Sequence, residues 1–107
     1  MAIAKKWSDY TKENLKTIPD EYIGSYEIGH HATNTILYIG EGKIKNRLLA
    51  HFPDGKRPEA IVVGADVFRY ETTNTKAKAV LQQNHHLADF KAKNNQKLPK
   101  YNQRSKN

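Results

Sequence analysis

Three groups of residues stand out by type and spacing. The first is a pair of tyrosine-bearing segments, Gly24-Ser25-Tyr26 and Tyr38-Ile39-Gly40. The second is Arg47 with His51, four residues apart, and Lys43 one turn before them. On a helix these three share a face. Their row lies about 100° from the apolar row Ile44, Leu48 and Phe52, so one row packs while the other faces solvent or a substrate. The third is Leu98-Pro99-Lys100-Tyr101-Asn102, near the C-terminus. Phenols, a permanent guanidinium and an imidazole titrating near neutrality are side chains of proton transfer and anion neutralisation. Singly, each has an ordinary explanation. A strand Tyr packs its ring and wets its hydroxyl, and helix Arg and His are usually surface residues. Their order and combination carry more.

The elements that must position them follow from pattern. Ser8 is placed to cap a short helix running to Lys16, and Pro19 ends it. Ile23 to Ile28 alternates as a strand, a polar connection follows at 29–34, and Thr35 to Gly40 is a β-branched and aromatic second strand. Gly40-Glu41-Gly42 is expected to break that strand. Lys43 to Phe52 has helical spacing, and Pro53-Asp54-Gly55-Lys56 closes it. Ile61 to Tyr70 reads as a third strand. From Lys76 to Phe90, Ala77, Val80, Leu81, Leu87 and Ala88 trace one expected inward face. The expected fold class is α+β: a small three-stranded antiparallel sheet flanked by helices. The expected organisation is one domain over 1–107, with a helical lead-in at 1–20 and a loose tail at 103–107.

Composition narrows the class. Apolar residues make up 37% of the 107, so the core is lean. Lys and Arg number 18 against 11 acids, giving +7. Residues 91–107 carry six cations and no acid, leaving 12 basic and 11 acidic side chains in residues 1–90. The basicity is therefore a property of the C-terminal segment, and a pI near 9.6 favours a polyanionic partner, nucleic acid first. No apolar run is long enough to span a membrane, and no secretory signal pattern opens the chain. With no cysteine, there is no disulfide framework and no thiolate metal site. An intracellular, cytoplasmic location is expected.

Taken in order, these residues resemble the GIY-YIG nuclease superfamily, and its small stand-alone members in particular. Ile23-Gly24-Ser25-Tyr26 is a degenerate first motif, Tyr38-Ile39-Gly40 an intact second one. The helix arginine of that family falls on Arg47, the histidine one turn later on His51, and a C-terminal asparagine on Asn102. The resemblance implies a GIY-YIG-like domain and Mg²⁺- or Mn²⁺-dependent hydrolysis of DNA phosphodiesters. Tyr26 would activate the attacking water, with Tyr38 orienting water and phosphate. Arg47 would offset the charge of the transition state, and His51 would hold the phosphate or move a proton. Lys43, Lys97, Lys100 and Asn102 would meet the nucleic acid, double-stranded or branched. No appended recognition domain is visible, so sequence specificity would be low, or supplied by dimerisation or DNA structure.

Two positions depart from that family. Its metal-binding glutamate falls on Gln83 here, with Gln82 as the less favoured match because helical phase turns it away. Glu71, at the end of the third strand, is a possible substitute ligand, or else a helix cap. A basic residue often found just after YIG is replaced by Glu41. The adjacent His85 and His86 point about 100° apart and make no joint metal site. A neutral carbonyl binds Mg²⁺ far more weakly than a carboxylate. Open readings are therefore a nuclease with altered chemistry, a Glu-to-Gln replacement made to trap substrate, or a domain that binds nucleic acid or regulates without cleaving. A protein-interaction module with a solvated basic tail is a third class.

Overall fold

The computed structural model describes residues 6–52, 65–94, 97–99 and 102. Along them run β1 (Ser8–Asp9), α1 (Lys12–Lys16), β2 (Ile23–His30), β3 (Thr35–Lys43), α2 (Ile44–Ala50), β4 (Val67–Thr73) and α3 (Lys76–Lys93). The described strands form one antiparallel sheet in the order β1-β4-β2-β3. The class is α+β, with four described strands in place of the expected three. No described helix is long and apolar enough to cross a membrane.

The extra strand corrects the reading of Ser8. It pairs with Phe68, and Asp9 pairs with Val67, so Ser8 is no helix cap. The cap is Thr11, whose hydroxyl accepts from the Asn14 N–H at 3.1 Å. A two-residue strand has no alternation from which it could be read. Nor does β3 stop at Gly40. Glu41, Gly42 and Lys43 continue the ladder opposite Ser25, Gly24 and Ile23. β4 reaches further toward the C-terminus than expected, and positions 61–64 of the expected strand lie outside the described residues. So do residues 53–56, 1–5 and 103–107.

Strand alternation about the central β2 sorts the side chains. Tyr26 and Ile28 share a face with Tyr38, Phe68 and Tyr70. There they join Tyr10, Leu15, Ile18, Ile44 and Leu48 in one buried apolar cluster. The Tyr10 hydroxyl donates to the Leu48 carbonyl at 2.5 Å, tying the lead-in to α2. The other face carries Ser25, Glu27, Ile39, Glu41, Arg69 and Glu71, and α3 covers it.

That second face is polar, which overturns the inward face expected for α3. Ala77, Leu81 and Ala88 are exposed, while Ala79 and His86 are buried. Gln82 also turns toward the sheet, not away from it. Ser25 donates its hydroxyl to Gln82 Oε1, and Gln82 Nε2 donates to Glu71 Oε1 at 2.8 Å. Glu27, wholly buried, accepts from Arg69 Nε at 2.7 Å. Buried polar groups need partners, so the helix supplies amides where a hydropathy pattern asks for leucines.

His86 sits against this layer, its Nδ1 4.0 Å from Glu27 Oε2 and without a hydrogen bond. Burial lowers its pKa from 6.5 to about 4, with the charges of His85 and Arg69 adding to the effect. The folded state thus keeps neutral an imidazole that the unfolded chain protonates. The contribution is complete above about pH 6.5, declines as the pH falls, and is lost by about pH 4. We expect urea unfolding at pH 7 and at pH 4.5 to differ by up to about 3 kcal/mol more in the wild type than in His86→Leu. Equal pH dependence in the two proteins would remove His86 from the account.

Candidate active site

Tyr26 is 1% exposed, and its ring crosses from β2 onto the neighbouring strand at Gly40, its directly paired partner. A Cβ built on Gly40 would fall on the Tyr26 hydroxyl and Cζ, and within 2.8 Å of Cε1. The glycine of Tyr38-Ile39-Gly40 is therefore the space that the tyrosine of Gly24-Ser25-Tyr26 fills. Gly42 plays a similar part for Arg47. Its φ of 125° is one that L side chains rarely adopt. A Cβ there would stand 3.0 Å from Arg47 Nε.

The Tyr26 hydroxyl lies 2.8 Å from His51 Nε2. His51 is the C-cap of α2 and is buried, held by its N–H on the Arg47 carbonyl at 3.2 Å. Tyr38 closes the group, its ring centroid 4.5 Å from that of His51 and 6.2 Å from that of Tyr26. Burial holds the Tyr26 phenol well above its ordinary pKa, Tyr38 adds to this, and the Arg47 charge opposes it. The resting phenol is protonated.

These residues line a cavity of about 220 Å³ with Arg47, Gln83 and Glu41. Tyr26 and Tyr38 come from the α2 side of the sheet, Glu41 and Gln83 from the α3 side. Only at an outer strand can one cavity gather both, and β3 is that strand. Tyr26, Tyr38, Arg47, His51 and Gln83, singled out in the sequence, are thus brought together. Lys43 lines an adjoining cavity of about 390 Å³ with Asn46, Lys76 and, again, Arg47. Lys97 is exposed beyond the end of α3 and lines neither cavity. Lys100 lies outside the described residues.

Asn102 does reach this region, but its amide is spent on β3. Its Oδ1 accepts from the Ile39 N–H at 2.7 Å, and its Nδ2 donates to the Ile39 carbonyl at 2.9 Å. It satisfies the open edge of the sheet as a further strand would. Gln83 Nε2 donates to the same carbonyl at 3.4 Å, leaving the Gln83 carbonyl oxygen uncommitted to that bond. Glu71 is one strand beyond β2, bonded to Gln82, and does not line the cavity.

The acid at the cavity is Glu41, whose position in the sequence marks only the absence of the expected basic residue. Its Oε1 is buried without a hydrogen-bond partner, and Lys76 Nζ stands 3.9 Å away. Extending the alternation of β3 past Gly40 would have found it, since Glu41 then falls on the face that meets α3. No group of three or more His, Cys, Asp or Glu suited to a metal ion occurs among the described residues. A carboxylate plus an amide carbonyl, completed by waters, is nonetheless a donor set that a hard divalent cation accepts.

A four-stranded antiparallel sheet with helices on both faces and a phenol–imidazole–guanidinium cavity at its edge defines a small α+β domain. The chain belongs to the family described as a domain of unknown function (DUF7508), the match covering residues 1–91. That span contains every residue lining the cavity and stops short of Asn102. No curated protein matches the chain.

Gly40→Ala tests the packing that builds the site. The added methyl forces Tyr26 off His51, and we expect a loss of about 1–3 kcal/mol, lowering Tm by several degrees. A melting curve superimposable on that of the wild type would show that Tyr26 does not occupy that space.

Proposed function

We propose that the chain is a divalent-cation-dependent phosphodiesterase that cuts DNA, working as the GIY-YIG nucleases it resembles do. The observation that carries this reading is the Tyr26 hydroxyl at 2.8 Å from His51 Nε2, in a cavity that Arg47 also lines. A buried phenol is a poor base alone, because forming its anion without an acceptor is costly. Next to His51 it becomes a relay. The attacking water gives a proton to the Tyr26 oxygen while Tyr26 passes its own to His51 Nε2. The water oxygen bonds to phosphorus, the P–O bond to the leaving nucleotide breaks, and solvent protonates the departing oxygen. Tyr26 never carries the full charge.

Arg47 is exposed at the cavity and always protonated, so it can hold two phosphate oxygens as charge accumulates on them. Tyr38 orders the ring wall. Glu41 and Gln83 are the side chains that would hold Mg²⁺ or Mn²⁺, and the bound ion would supply charge neutralisation and a more acidic water. The adjoining cavity with Lys43 suits the next phosphate along the strand, and the six cations of residues 91–107 supply long-range attraction.

One observation favours a second reading, a DNA-binding domain without cleavage. Gln83 offers an amide where that family has its carboxylate, and its NH₂ already serves β3.

A supercoiled-plasmid nicking assay with Mg²⁺ or Mn²⁺ separates the two. We expect nicking by the wild type and a loss of about 10²- to 10³-fold in Tyr26→Phe, His51→Ala and Arg47→Ala. Arg47→Ala nicking at the wild-type rate would mean the site is misplaced. A silent wild type with an active Gln83→Glu would favour the binding domain.

A further inference from the structure

Lys76 is the first residue of α3, and its ammonium reaches back to Glu41 at the end of β3. It lies between two different surroundings. On one side is the carboxylate, whose Oε1 is buried and has no hydrogen bond. On the other is the 390 Å³ cavity that Lys76 lines with Lys43, Asn46 and Arg47. At 3.9 Å the pair is a loose contact with none of the directional bonding of a short charge-assisted hydrogen bond. A buried carboxylate oxygen so served is under-satisfied, and it would gain from a harder, doubly charged partner.

We propose that Glu41 is the anionic ligand of a divalent-cation site completed by the Gln83 carbonyl and water, and that Lys76 is the counter-ion this cation displaces. The inference rests on the nuclease reading for the purpose of the ion, though not for its binding. Across strands, Glu41 pairs with Ser25 and Ser25 pairs with Glu71, so the three form a row. Gln82 fastens Glu71 and Ser25 to α3, which leaves Glu41 as the acid of that row at the cavity. Once released, Lys76 faces the cavity shared by Lys43 and Arg47. Three cations then converge where a phosphate would lie next to the reacting one. Cation binding and polyanion binding are thereby coupled, and linkage makes the coupling reciprocal.

Mn²⁺ titration of the full chain, followed by electron paramagnetic resonance without DNA, tests this directly. We expect saturable binding by the wild type, a loss of tenfold or more in Glu41→Gln, and unchanged binding in Glu71→Gln. Lys76→Met should bind Mn²⁺ several-fold more tightly, because the competing ammonium is gone. That result is opposite to what a merely structural ion pair would give. Glu41→Asp, which keeps the charge on a shorter arm, should lose less than Glu41→Gln and serves if the latter fails to fold. No saturable binding by the wild type, equal binding in Glu41→Gln, or weaker binding in Lys76→Met would each overturn the proposal. Mn²⁺ bound at Glu41 in a chain that nicks no plasmid would support this site while removing the nuclease reading. Nicking with cation binding indifferent to Glu41 would do the reverse.

Discussion

The cross-strand contact of Tyr26 with Gly40 is the constraint on which the site depends. The two residues are directly paired, and the phenol occupies the volume that any side chain at position 40 would need. Its hydroxyl then meets His51 at the end of α2. α2 is fixed in turn by Ile44 and Leu48, both fully buried in the apolar cluster. The hairpin register and the docking of α2 therefore converge on one hydrogen bond. A one-residue slip between β2 and β3 would send Tyr26 to the α3 face and empty the cavity of its phenol.

The parts of this arrangement that were legible in the sequence are those governed by a strong period. Arg47 and His51 share one side of the α2 segment, as i, i+4 spacing requires, and both line the cavity. The two hairpin strands follow from their β-branched and aromatic runs. Where a signal was too short or ran against composition, reading failed. β1 is two residues long, and Gly40-Glu41-Gly42 carries the composition of a break yet continues a strand. Gly24 sits opposite Gly42 there, and the room a side chain would need is taken at Gly24 by the β4 backbone of Glu71 and Thr72 and at Gly42 by Arg47.

α3 shows the same limit from the packing side. Hydropathy assigns its interior to Ala77, Val80, Leu81, Leu87 and Ala88, of which Val80 and Leu87 are half-buried and the other three exposed. Its actual interior is chosen by what the sheet presents. Glu27 and Arg69 are paired across β2 and β4, and Ser25 and Glu71 are neighbours in the same layer. A leucine row laid over them would take from Ser25 and Glu71 the amide that now serves both, at a cost of roughly 1–3 kcal/mol each. Gln82 resolves two of them at once, and for that reason it, not Gln83, is the amide bound into the layer.

The charge distribution follows from this pairing. Residues 1–90 are nearly neutral as a set, yet their cations are not uniformly spent. Lys45 is held by Asp20 at 2.5 Å and Arg69 by Glu27, and neither lines the cavity. Among the described residues, Lys43 and Arg47 have no carboxylate within ion-pair distance, and Lys76 has one at the outer limit of it. These are the three cations that meet in the cavity beside the tyrosine site. Two cations of the described chain are thus neutralised by carboxylates away from the cavity, while three converge at it. Low dielectric at a partly enclosed cavity strengthens what remains. Of these three, Arg47 is the one that lines both this cavity and the cavity of Tyr26 and His51.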